Sequence, residues 1–147
     1  MKIRVVLARG GGSPWALDAC KDYGRRIGRY FPFEEREFAA GAAREDAVRV
    51  RKEVPARGRL VVLDERGVDL TSPGLAELLE RCALDSVPSV VFAIGGPSGH
   101  DEGLRAEAWR TIRLSAMVLN HAVARVVLYE QIYRACTIRA GEPYHHA

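Results

Sequence analysis

Glycines gather at two points of this 147-residue chain, each where an apolar run ends. The first is Arg9-Gly10-Gly11-Gly12-Ser13, between a β-branched run and a helix start. A glycine turn there suits a phosphate or nucleotide, because its N–H groups and the helix N-terminus both favour negative charge. The pattern is incomplete. Trp15 stands where Gly-x-Gly-x-x-Gly needs its third glycine, and no Gly-Lys-Ser/Thr follows, so a flexible turn is the stronger reading. The second point is Ile94-Gly95-Gly96-Pro97-Ser98-Gly99. Ser98 is followed at once by glycine, which breaks the Gly-x-Ser-x-Gly spacing of a nucleophile elbow. No His-x-x-x-His, paired Cys-x-x-Cys or acidic calcium loop occurs, so the spacing offers no metal site. What remains is ligand binding by backbone, since a glycine ending a buried strand lets the main chain approach a ligand closely. As a bare pattern, a plain tight turn is the stronger reading and ligand binding its rival.

The elements that would position these turns follow from hydrophobic period. Ile3-Val5-Leu7 predicts a first strand, and Ser13-Pro14 a helix start with proline at the first helical position. Trp15, Cys20, Tyr23 and Ile27 continue that helix to about Tyr30. Phe33 to Phe38 reads as a weaker strand, and Ala42 to Val54 as a helix closed by Pro55. Leu60-Val61-Val62-Leu63 and Ser89 to Ile94 are continuous apolar runs, the mark of strands covered on both faces. Between them Ser72-Pro73 opens a helix with Leu75, Leu78, Leu79 and Cys82 inward. A helix from about Asp101 to Trp109, a short strand around Ile112 to Val118 and a long helix His121 to Ala140, ended by Gly141, complete the chain. The order βαβαβαβαβα with short connections predicts one α/β domain over residues 1–147: a Rossmann-like, mostly parallel sheet with helices on both faces.

Composition sets the class. The chain is 48% apolar and 28% charged, with a net charge of +3 and no apolar run long enough for a membrane span. Met1 to Leu7 has a charged start but no small-residue cleavage site, so it reads as the first strand. Cys20, Cys82 and Cys136 lie far apart, and an odd number without a signal peptide points to a reducing, cytoplasmic setting. Arg44, Arg49, Arg51, Lys52, Arg57 and Arg59 crowd one segment against Glu45, Asp46 and Glu53. A solvated helix face is the stronger reading there, with a phosphate-facing surface as its rival.

Five motifs stand together in order. They are Leu63-Asp64-Glu65-Arg66-Gly67, Ile94 to Gly99, Leu114-Ser115-Ala116-Met117-Val118-Leu119-Asn120-His121, Arg125 to Ala135, and Pro143-Tyr144-His145. In that order and spacing the chain resembles the ribosomal RNA large subunit methyltransferase H family of the SPOUT class, loosely in its first third and closely over residues 60 to 147. The resemblance implies a carboxyl-terminal trefoil knot, a homodimer, and S-adenosylmethionine as methyl donor. It further implies methylation of N(3) of a pseudouridine in 23S ribosomal RNA on assembled ribosomes. The donor site it implies is Leu63, Gly95, Leu114, Ser115, Ala116, Met117, Val118 and Leu119; without it, a core strand would be the preferred reading of that last run. Tyr144 and His145 become candidate catalytic groups, with Arg125 and Arg134 as cationic or structural support. Glu130 and Arg134, at i, i+4, make a structural ion pair at least as well as a catalytic one. Three departures stand out: Asn120 where the family has proline, which threatens to loosen the turn beneath the donor; Ser98 for glutamate; and His146 where arginine or lysine is common.

Overall fold

The computed structural model describes residues 1–9 and 12–144. Five parallel strands alternate with five helices: β1 Lys2–Arg9, α1 Pro14–Ile27, β2 Phe33–Ala39, α2 Ala43–Lys52, β3 Arg59–Asp69, α3 Ser72–Leu84, β4 Ser89–Ile94, α4 Glu102–Glu107, β5 Arg110–Arg113 and α5 His121–Ala140. The sheet order is β2-β1-β4-β3-β5. Strand periodicity divides the core in two. Val5, Val61 and Phe92 face α1, α3 and α5 through Cys20, Leu79, Leu128 and Ile132. Val6, Val62 and Val91 turn the other way, toward Ala47 and Val50 of α2 and Leu104 of α4. Both central runs are buried on both sides, as their unbroken apolar character requires.

Two elements depart from the sequence expectation, and both shape the site. Strand β3 runs on to Asp69, but Leu63 and Val68 both pair with Ile112, so residues 64 to 67 bulge out of the ladder. Asp64 closes that bulge by accepting hydrogen bonds from the N–H and Nε of Arg66, each at 2.9 Å. Gly67 permits it: a Cβ there would lie 2.6–2.8 Å from the backbone of Ile112. The second departure is β5, which stops at Arg113. Residues 114–119 are not the expected strand but a loop, because β5 has only β3 as neighbour and that pairing ends with Asp69 and Arg113.

The long helix is better anchored than its sequence suggests. Asn120 accepts a hydrogen bond from the N–H of Ala122 at 2.8 Å, a direct N-cap. Its φ of −57° is one that proline also adopts. The departure from proline therefore keeps the backbone and adds a cap, and the turn is not loosened. At the other end Gly141 takes φ 73°, closing the helix through bonds to Ile138 and Thr137.

Candidate functional site

Four parallel strands end side by side, and the loops leaving them enclose a groove of about 720 Å³. This lies within the range of cavities that hold small organic ligands, and beyond the carboxyl ends of the strands, where open α/β sheets bind them. Leu63 from β3, Ile94 from β4 and Leu114, Val118 and Leu119 from the 114–119 loop give it apolar walls. Arg9 ends β1 at one side and Arg113 ends β5 at the other. Of the sequence-predicted donor residues, Leu63, Gly95, Leu114, Ser115, Met117, Val118 and Leu119 line the groove, while Ala116 does not. Ser115 earns its place by geometry: its Oγ accepts from the N–H of Met117 at 2.9 Å and turns the loop. Met117 and Val118 are 78% and 88% exposed, so the run that resembled a core strand is an open apolar lip.

The glycine turn is built around a residue that sequence reasoning passed over. The Nε2 of His100 lies 3.1 Å from the carbonyl of Ala93 and so braces the end of β4. Burial pushes this imidazole below its ordinary pKa, against weaker opposing effects of the Ala93 carbonyl and Asp64, so it is neutral at pH 7. A Cβ on Gly95 would lie 3.2–3.3 Å from the His100 ring and the Gly99 backbone, and one on Gly96 would lie 2.6 Å from Cβ of Ala40. Gly96 is thus demanded by its close approach to Ala40, and Gly95 leaves room for the His100 ring. Asp64 is held below the usual carboxylate range, first by its hydrogen bonds from Arg66, and so stays ionised under the groove.

The candidate catalytic residues lie elsewhere. Arg125 does not line the groove; its side chain is 5% exposed and its Nη2 meets Glu37 at 2.8 Å and Glu35 at 3.2 Å. Tyr129 donates its hydroxyl to the same Glu35. Arg134 and Tyr144 meet at the far end of α5. Arg134 donates to Glu130 Oε1 at 2.6 Å and lies over the Tyr144 ring at 4.9 Å, while the Tyr144 hydroxyl donates to that same oxygen at 3.1 Å. Tyr133 packs edge-on against Tyr144, and Tyr30 donates to Glu142 at 2.6 Å. The tail is thus tied down as far as Tyr144; His145 and His146 lie outside the described residues. At ~1.5 Å of rise per residue, Arg134 stands roughly 20 Å along α5 from His121 at the groove. One chain therefore does not bring its donor-side and tail-side candidates together.

Three of the six cations of the basic segment are engaged within the chain. Arg51 reaches Glu107 at 2.9 Å, Arg59 reaches Asp85 at 2.8 Å, and Arg49 lies over Phe38 at 5.4 Å. Burial pushes the thiols of Cys20 and Cys136 up to about 11 and about 12, so neither is a nucleophile at neutral pH.

A doubly covered parallel sheet whose ligand groove is made of strand-end loops, with a glycine turn and an apolar lip, defines a small-ligand α/β enzyme of the nucleotide-binding kind. Comparison with known proteins narrows this. Residues 1–145 match the family model described as Predicted SPOUT methyltransferase. The chain is 44% identical over 154 residues to the ribosomal RNA large subunit methyltransferase H of Geobacter metallireducens, covering 100% of both chains. Against the protein of that name from Geobacter sulfurreducens it is 44% identical over 153 residues, covering 99% of this chain and 100% of the relative. A solved SpoU methyltransferase, AviRb from Streptomyces viridochromogenes in complex with AdoMet, superposes with a TM-score of 0.47 at 18% identity, over 95% of this chain and 58% of that one. The chain belongs to the SPOUT methyltransferases and, within them, to the ribosomal RNA large subunit methyltransferase H family. It is a methyltransferase, and the donor that its sequence resemblance implies is S-adenosylmethionine. The groove fits that donor: apolar walls suit the adenine and methylene groups, and the glycine turn leaves space that side chains would fill.

Proposed function

We propose that this protein methylates N(3) of a pseudouridine in large-subunit ribosomal RNA on assembled ribosomes, as a cytoplasmic homodimer. The reading is carried by the strand-end groove in a chain that matches its relatives from end to end. When bound, S-adenosylmethionine supplies an electrophilic methyl carbon on a sulfonium. The chain's own work is then alignment and charge. Leu63, Ile94, Leu114 and Leu119 exclude water and fix one reactant, so that transfer gains from orientation.

The acceptor is an imide nitrogen, whose proton must leave and whose developing charge must be stabilised. Tyr144 suits the second task. Burial and the Glu130 carboxylate push its phenol up to about 12, so at neutral pH it keeps its proton, and on substrate binding it turns that hydrogen from Glu130 to the acceptor. Arg134, fixed on Glu130, orients it. Arg125 acts through position, holding the start of α5 to β2 through Glu35 and Glu37. His145 is the remaining candidate for the proton.

Because the tail cluster lies far along α5 from the groove, these roles are met when the tail serves the groove of a second copy. Met117 and Val118 in the lip, Val123 on α5 and Trp15 on α1 are all exposed and supply apolar surface for such a contact. Mass spectrometry of ribosomal RNA tests the substrate. In a strain lacking this gene, one large-subunit pseudouridine should lose the mass of a methyl group and regain it on complementation. A methyl mark that persists there refutes the reading.

A further inference from the structure

Beside the donor groove, and sharing Arg9 and His121 with it, lies a second cavity of about 260 Å³. Its walls are the first turn of α1, the first turn of α5 and the side chain of Arg125. Three buried nitrogens of residues around it have no hydrogen-bond partner among the described residues: Nη1 of Arg9, Nε2 of His121 and Nε of Arg125. Folded proteins leave few such atoms unmet, and three around one cavity require an explanation. The neighbouring carboxylates do not supply it. Glu37 takes Nε of Arg9 at 2.6 Å and Nη2 of Arg125 at 2.8 Å, and Glu35 takes that Nη2 and the Tyr129 hydroxyl. These contacts hold each guanidinium by one part and leave another part unused.

The helices add to the same field. Helix α1 begins with Pro14, and the Ser13 side chain makes no capping bond, so its first turn keeps its partial positive charge unmet by any side chain. Helix α5 presents a second N-terminus to the same cavity, with only the N–H of Ala122 taken by the Asn120 side chain. Both helices are long, 14 and 20 residues. Trp15, 54% exposed in the first turn of α1, offers a face on which a base can stack.

We propose that this cavity binds a backbone phosphate of the RNA substrate, between Arg9 and His121, and so registers the acceptor nucleotide beside the donor. The proposal rests on the RNA methyltransferase reading. It assigns a ligand to Arg9, Gly12 and Ser13, three residues of the incomplete nucleotide-binding motif. A phosphodiester suits the place because its oxygens accept from a guanidinium and an imidazole together, and such contacts position a nucleic acid without reading its sequence.

The test is Arg9→Gln in the full-length protein, with thermal melting to establish that it folds. The expected result is a rise of about tenfold in KM for the ribosomal substrate, much larger than any change in donor affinity by calorimetry. The slope of log affinity against log salt should fall by about one, the signature of one lost phosphate contact. Arg9→Lys should restore the slope. His121→Phe, which leaves both guanidiniums in place, should raise KM in the same direction and serves if Arg9→Gln does not fold. Unchanged KM and slope in folded variants overturn the proposal. So does a loss of donor affinity with KM for RNA unchanged, which would give the anion site to the donor's carboxylate. If the wild-type protein transfers no methyl to ribosomal RNA, the functional reading fails separately. Anisotropy with a single-stranded RNA oligonucleotide then decides the cavity: a slope lowered by Arg9→Gln supports it, and an equal slope overturns it.

Discussion

At its first turn α5 borders two cavities and leaves Nε2 of His121 without a partner among the described residues; nine residues further on, the same helix satisfies nearly everything it carries. Glu130 alone accepts from Arg134, Gln131 and Tyr144. The contrast is one of purpose. A closed network of short charged contacts fixes side chains in one arrangement, whereas open apolar loops and unmet nitrogens await something that is not part of the chain. On the proposed reading, the groove end receives ligands and the tail end is presented to the groove of a second copy.

The largest expected effect comes from removing the tail. Deleting residues 142–147 takes Tyr144 and His145 together, and kcat should fall by about 10³ or more if both act in proton transfer and charge stabilisation. Donor affinity by calorimetry should not change, because the groove is untouched. A truncated protein that keeps its activity would break the division between the two ends.

Gly67→Val attacks the groove end through its scaffold. A side chain there would collide with the backbone of Ile112 and force β5 off β3. The cost should be about 3 kcal/mol, seen as a fall in Tm of roughly 6 °C or more. Gly95→Val is subtler. Its Cβ would press on the His100 ring before reaching any ligand, so donor affinity should fall at least about tenfold with a smaller loss of stability. Equal donor affinity in a folded Gly95→Val protein would show that the glycine turn does not shape the groove.

The tail deletion was foreseeable from sequence, the effect of Gly95→Val only in part, and that of Gly67→Val not at all. The order of strands and helices was legible because the apolar period changes cleanly from two to 3.6. Leu63, Gly95 and the 114–119 run were legible through the five motifs. The loop character of 114–119 was not, since an apolar lip and a buried strand have the same composition and differ only in whether a neighbouring strand exists. His100 and Gly67 were also hidden. Each acts by a contact across sequence distance, to the Ala93 carbonyl and the Ile112 backbone, and no local spacing reports such a contact. Asn120 read as a weakness because its capping bond is invisible until the helix start is located.

The smallest effect is a pH dependence. In the folded chain burial holds the His100 imidazole below its ordinary pKa. As pH falls below ~6.5 the unfolded chain takes up this proton first, so stability should decline there and be fully present above. His100→Gln should flatten that part of the curve of Tm against pH. An unchanged curve would remove His100 as the brace of the turn.

The central claim is that one subunit's groove works with the other subunit's tail, and mixing two impaired variants tests it most directly. Gly95→Val impairs the groove and keeps the tail; the 142–147 deletion does the reverse. After the two are unfolded and refolded together, mixed dimers would pair one intact groove with one intact tail, and methyl transfer should return to a substantial fraction of wild type. Activity no higher than the sum of the two variants alone would show that each groove depends on its own tail, and would contradict the account.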